Sequence, residues 1–493
     1  MTQVSSPRAP VRAAVALLFA TLMCASQELR AVGTLGPTPG DDAAVNQAVR
    51  ICTDDSRLAA DRLAACKLVI NNSHFDNPNL AKIYVSRARA HRANHDATAA
   101  LQDLDRAIKT DPGSTLAWLD RADLHTEMKD TEGAFEDYNQ AIKADKNNPA
   151  AYVNRGNALR VRGDREAAAA DYGRAISLDP NGAEAYLNRA GLSLSESEWT
   201  AAIRDLTEAL RLQPRNASAF YDRGTAYERS GDLPKAEQDY TRAIEALPTY
   251  AAAYDARGRL RQPRDVTAAL GDFNEAVRLD PHSAALKSRG VLNMGQGNLE
   301  AAIRDFSTAI ANQSDDAGAY SNRGAAYLRL GNVDNAIRDF NRSIELAPAS
   351  IESHFNRGAA YATTHRLEDA MQDFDAVLRL DPRHKGALMG RADIDRLQSH
   401  LKASVDDYTR LIDVDSGNAA AYFKRGNAYY DLGEFAAAFR DYSESLRLEP
   451  NQALVLYNRG VVARNLGRTR EADQDRAQAL RLDPTLAGKP KVR

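Results

Sequence analysis

An arginine returns at a fixed interval along most of this chain. It stands at Arg87, Arg121, Arg155, Arg189, Arg223, Arg257, Arg289, Arg323, Arg357, Arg391, Arg425 and Arg459. Ten of the eleven gaps are 34 residues, and the gap from Arg257 to Arg289 is 32. Each arginine has an aspartate 16 residues downstream, except that Asp272 follows Arg257 by 15. Self-similarity at this period means stacked copies of one small unit, hence a solenoid. A chain that commits over 400 of its 493 residues to such units has little left for a catalytic domain.

Residues 317–350 show what one unit folds into. Tyr320, Arg323, Gly324 and Tyr327 fall at i, i+3, i+4 and i+7, one face of a helix. Gly331-Asn332 breaks that helix, and a second apolar run follows through Ala336, Ile337, Phe340, Ile344 and Leu346 to Pro348. The spacing predicts two antiparallel helices and a short turn. Gly331 lies midway between Arg323 and Asp339, so the two charges are placed to meet across the hairpin. Pairing of each Asp with the Arg of the next unit, 18 residues on, is the other geometry open to the sequence. In either form twelve copies point to a structural pair that sets helix register. Gly or Ala follows every repeat arginine, and a large apolar residue follows eleven of the twelve aspartates, as expected of closely packed helices.

These residues resemble the tetratricopeptide repeat. Its pattern of aromatic-x2-Leu-Gly-x2-Tyr, Ala-x3-Phe and Pro is similar to Tyr320-x2-Arg323-Gly324-x2-Tyr327, Ala336-x3-Phe340 and Pro348 here. Phe220 to Pro248 and Tyr422 to Pro450 repeat it, with Arg in place of the usual Leu throughout. The Asn-Arg-Gly flavour resembles exported bacterial members. The resemblance implies an all-α fold: a right-handed superhelical α-solenoid of about twelve helix pairs over residues 81–486. The unit at 251–282 is irregular, lacking two residues and holding Pro263, and is expected to divide the array.

Before the array, residues 43–80 contain two helical runs joined by Thr53-Asp54-Asp55-Ser56 and read as a capping hairpin. Farther upstream, Arg8 and Arg12 precede the apolar run 13–25 and a small-residue site, the pattern of a signal peptide over 1–26. An uncleaved anchor is the alternative. Residues 27–42 read as a flexible linker and 487–493 as a basic tail. An exported chain without its signal keeps two cysteines, Cys52 and Cys66, one on each helix of the hairpin. An even count in an exported protein suggests a disulfide, with two buried thiols as the other reading. The expected location is periplasmic or secreted.

The net charge of −3, or −5 once Arg8 and Arg12 leave with the signal, comes from both signs mixed along every repeat. No basic block offers itself to nucleic acid. His91 and His95 have i, i+4 spacing, but His91 occupies the repeat position that holds tyrosine elsewhere, as at Tyr327. We expect no metal site and no cofactor. No nucleophile–base constellation, phosphate loop or Cys-x-x-Cys motif occurs, so no enzyme is expected.

The resemblance implies that the first helix of each pair lines a concave groove that holds peptides. The residue before the repeat arginine is then groove-facing. It is Asn154, Asn188, Asn322, Asn356 and Asn458 in five repeats and Asp222 in another; Asn157 and Asn427 extend the row. An amide both donates and accepts, so such a row suits an extended peptide backbone. Phe355, Phe423 and Tyr457 add an apolar patch beside it. The expected function is a non-enzymatic scaffold for protein or peptide partners, with a self-assembling or spacer component of an envelope complex as the alternative. Membrane association is expected only through an uncleaved signal or a bound partner.

Overall fold

The computed structural model describes residues 43–72 and 75–487. The expected signal, the linker, and the tail from residue 488 lie outside the described residues. Within them the chain forms 26 α-helices, from α1 (Ala43–Cys52) to α26 (Thr469–Leu482), and no strand. It is an all-α solenoid of helix pairs. The chain divides into two compact units, 1–248 and 249–493, the second opening on the irregular repeat.

Local chemistry sets the helix ends. Asp130, Asp232 and Asn332 each accept a hydrogen bond from a backbone N–H three residues on and so cap second helices. Ser114, Asn216 and Asn418 do the same for first helices. The turn inside each pair needs one residue with positive φ, supplied by Gly331 (81°) in one repeat and by Ser197 (63°) in another. The irregular repeat lacks this residue. After α13 (Ala251–Arg261) the chain passes through Gln262 in right-handed conformation to Pro263, and the missing turn residue is why Asp272 comes one position early.

The twelve Arg–Asp pairs form inside the repeats, and every one is bidentate. Nε and Nη2 of each arginine donate to the two carboxylate oxygens at 2.6–3.1 Å. The aspartates are 1–6 % exposed. In most repeats the remaining nitrogen, Nη1, reaches back to the preceding repeat. Arg155 donates to Asn139 at 2.8 Å, Arg323 to Ser307 at 3.0 Å and Arg391 to Asp375 at 2.6 Å. One guanidinium therefore ties three helices together.

The large residue after each aspartate fills the space between helices: Tyr172, Phe306, Phe340, Tyr408 and Tyr442 are wholly buried. It also explains the small residue after the arginine. A Cβ on Gly156 would stand 2.7 Å from the Tyr172 ring, and one on Gly426 2.7 Å from that of Tyr442. Where the partner is the narrower Leu206, the position is Ala190.

At the front, α1 and α2 (Ala59–Asn72) form the expected hairpin. It ends earlier than residue 80, because Asp76 caps the first repeat helix, α3 (Asn77–Ala93). Cys52 and Cys66 are fully buried, with their sulfurs 2.10 Å apart. Buried Arg62 donates to the carbonyls of Cys52 and Ser86, each at 3.3 Å, joining the hairpin to α3. At the other end only Ala472, Asp475 and Ala479 of α26 are buried; a short 3-10 turn at Pro484–Leu486 folds Leu486 over Leu456 and Ala479.

Candidate interaction face

Successive first helices meet along two positions: the residue two after one repeat arginine and the residue before the next, 31 apart. Asp123 accepts from Asn154 Nδ2 at 3.3 Å, and Asn427 from Asn458 Nδ2 at 3.1 Å. Arg89 binds Asp120 through two hydrogen bonds, and Lys424 pairs with Asp393. Much of the expected asparagine row is therefore engaged inside the protein.

The position two after the arginine has a second duty that the sequence reading missed. It accepts the hydroxyl of the buried tyrosine 15 residues later: Asp123 from Tyr138 at 2.7 Å, Asn157 from Tyr172 at 2.8 Å, Asn427 from Tyr442 at 2.8 Å, and Asp393 from Tyr408. Burial pushes the Tyr172 hydroxyl up to about 12, so it stays a donor. In three of the four repeats with phenylalanine instead, at Phe306, Phe340 and Phe374, the position is Val291, Ala325 and Ala359; in the irregular repeat of Phe273 it is Arg259, and Tyr240 donates to Glu228 at 2.6 Å. Across these four tyrosine and three phenylalanine repeats the sequence carries the signal, as the matched choice of an acceptor for tyrosine and an apolar residue for phenylalanine.

The structure sorts the expected site residues accordingly. Asn427 and Asn458 are buried, at 4 % and 0 % exposure, and bond to each other, so they are corrected from groove contacts to packing residues. Asn157 and Asn154 are part-buried and also bonded internally. Asn188 is 8 % exposed, and its Nδ2 has no partner among the described residues. Asn322 on α17 (Ala317–Arg329) and Asn356 on α19 (Ile351–Thr363) differ: each is part-exposed, and neither side chain makes a hydrogen bond among the described residues. They stand 31 residues after Val291 and Ala325, which offer no polar group.

The expected aromatic patch is partly absorbed by packing. The Phe355 ring lies 6.0 Å from that of Phe374 and 4.9 Å from that of His384; Phe423 lies 5.9 Å from Tyr442. Tyr457 packs against the cluster around Leu456, Ala479 and Leu486. His95 is not on a helix with His91, because α3 ends at Ala93 and His95 takes the left-handed turn position. Among the described residues no three potential ligands converge on a metal position, and no helix is long and apolar enough to cross a membrane.

Comparison with known proteins agrees with this architecture. Family models described as tetratricopeptide repeat match residues 85–149, 194–251, 259–317, 288–351, 321–385 and 453–486, and one described as TPR repeat matches 156–192 and 426–467. No curated protein matches the sequence. Among solved structures, MamA from Desulfovibrio magneticus RS-1 is 20% identical over 34% of this chain and 96% of its own, with a TM-score of 0.33. YrrB, described as a TPR protein with an unusual peptide-binding site, is 18% identical over 36% of this chain and 92% of its own, with a TM-score of 0.34. Yeast Tom70 is 16% identical over 83% and 98%, with a TM-score of 0.36. These likenesses concern the fold alone. With family matches over more than half of its length and the helix pairs described above, the chain belongs to the tetratricopeptide repeat family.

Proposed function

We propose that this protein is a non-enzymatic scaffold whose first-helix face receives an extended segment of a partner protein in the cell envelope. The observation that carries the reading is the pair Asn322 and Asn356. The equivalent Asn154 and Asn458 are bonded internally and Asn188 is buried, whereas these two present unmatched, part-exposed amides on successive first helices. Unmatched donor–acceptor groups at repeat spacing suit a peptide backbone, which carries one donor and one acceptor per residue. The envelope location rests on the N-terminal signal pattern of the sequence and on the two cysteines.

The test is affinity capture from periplasmic and secreted fractions with residues 27–493, beside a variant carrying Asn322→Ala and Asn356→Ala. A partner held by the first and lost by the second supports the reading. A partner held equally by both moves the working surface elsewhere, and concentration-dependent light scattering without any partner favours self-assembly.

A further inference from the structure

One junction between first helices carries an acid with neither a base nor a hydrogen-bond donor opposite it. Where the two meeting positions are both charged, the protein forms an ion pair: Arg89 with Asp120, Nε to Oδ2 at 2.5 Å and Nη2 to Oδ1 at 2.9 Å, and Lys424 with Asp393. Between α9 (Ala183–Ser195) and α11 (Ala217–Ser230) the corresponding residues, again 31 apart, are Gly191 and Asp222. Gly191 is exposed, and a Cβ built on it meets nothing within 4 Å. The slot that Arg89 fills in the first repeat is open here.

Asp222 is part-buried, and among the described residues its carboxylate has no hydrogen bond and no ion pair. Burial alone pushes it up to about 6, with no neighbouring charge in either direction. A carboxylate withdrawn from water without a counter-charge is unfavourable. One unmatched carboxylate thus faces one open position. The glycine itself is permitted by its own repeat: the residue after Asp205 is Leu206, which has no hydroxyl needing an acceptor at position 191.

We propose that Asp222 and the open slot at Gly191 receive an arginine or lysine side chain of the bound partner. The cation completes the ion pair that the chain builds for itself at Arg89–Asp120. This deepens the scaffold reading and rests on it, naming a basic side chain as what the first unit recognises.

The test uses the full mature chain with 13C-labelled aspartate carboxyls and N-acetyl-arginine amide as the probe, against the neutral isostere N-acetyl-citrulline amide. The expected result is a saturable shift of the Asp222 carboxyl with arginine. Binding is at least ~10-fold weaker with citrulline or in Asp222→Asn, as charge-assisted pairs require. Gly191→Arg, which rebuilds the first-repeat pair, is expected to raise the melting temperature and block the probe; in an Asp222→Asn background it gives no rise. Arginine binding that is absent, or equal in wild type and Asp222→Asn, overturns the proposal, including the case in which Gly191→Arg stabilises the fold. Partner contact through Asn322 and Asn356 in the other unit is measured separately, so failure here leaves the scaffold reading to stand or fall on its own test.

Discussion

Arg323 and Asp339 face each other across the turn at Gly331 through two parallel hydrogen bonds of 2.8 Å, and the same arginine reaches Ser307 of the preceding repeat at 3.0 Å. The pair therefore fixes register within a hairpin, and its third donor fixes stacking between hairpins. Burial is what gives it consequence: Asp339 is 6 % exposed. Breaking a buried pair from one side leaves a charge without a partner, whereas replacing both sides by apolar residues of similar volume is close to neutral. We expect Arg323→Met alone to cost about 3–5 kcal/mol and the double variant Arg323→Met, Asp339→Leu far less. Urea melts with hydrogen exchange over residues 317–346 check this. Equal losses in the two variants would contradict it.

The tyrosine–acceptor match gives a second test. Phe340 is fully buried, and the position that would accept a hydroxyl from it is Ala325. Phe340→Tyr should cost about 1–3 kcal/mol, the penalty of an unsatisfied buried hydroxyl. Adding Ala325→Asn, which copies Asn427–Tyr442, should restore most of the loss. A double variant no more stable than the single one would refute the match.

Why some of this was legible in the sequence and some was not follows from where the constraint lies. The helix pairs, the turn at Gly331 and the burial of Phe340 are set within one repeat, by periodicity and steric fit, and they read directly from spacing. Which repeat each aspartate serves is open in the sequence alone, because distances of 16 and 18 residues both suit a pairing until the hairpin is built. The roles of Asn157, Asn427 and Asn458 depend on contacts across a hairpin or between repeats. A helix-surface asparagine looks the same in sequence whether it meets water, a ligand or the tyrosine of its own hairpin. The distinction lay in the identity of residues 15 and 31 positions away.

Asp222 makes stability depend on pH. Its unfolded value is near 3.8, and burial raises the folded value to about 6. The folded chain thus keeps a proton between those values that the unfolded chain has lost. Stability from this group is complete below about pH 4 and declines as pH rises through 6. Asp222→Asn should therefore stabilise the protein above pH 6.5, by up to about 3 kcal/mol at ~1.4 kcal/mol per pKa unit, and change little at pH 4. Thermal melts of both proteins across this range test it, and a variant that loses stability at pH 7.5 would show that the carboxylate has a counter-charge in the free protein.

The capping hairpin offers a local prediction. Cys52 and Cys66 lie 14 residues apart in sequence, and a crosslink closing a loop of that size contributes about 3 kcal/mol. Reduction should raise hydrogen exchange across residues 43–72 while leaving the repeats beyond residue 110 unchanged, since each repeat contacts only its neighbours. Uniform loosening of the whole chain, or none at all, would be inconsistent with a stapled local cap.

The most direct test of the central claim is site-specific photocrosslinking to a captured partner. A photoreactive residue at Glu352, exposed on α19 one helical turn before Asn356, samples the first-helix face; one at Arg338, exposed on the second helix of the preceding repeat, samples the opposite surface. Crosslinks from 352 that disappear with Asn322→Ala and Asn356→Ala, with none from 338, are the predicted result. Crosslinks from 338 alone would contradict the account and place partner recognition on the second helices.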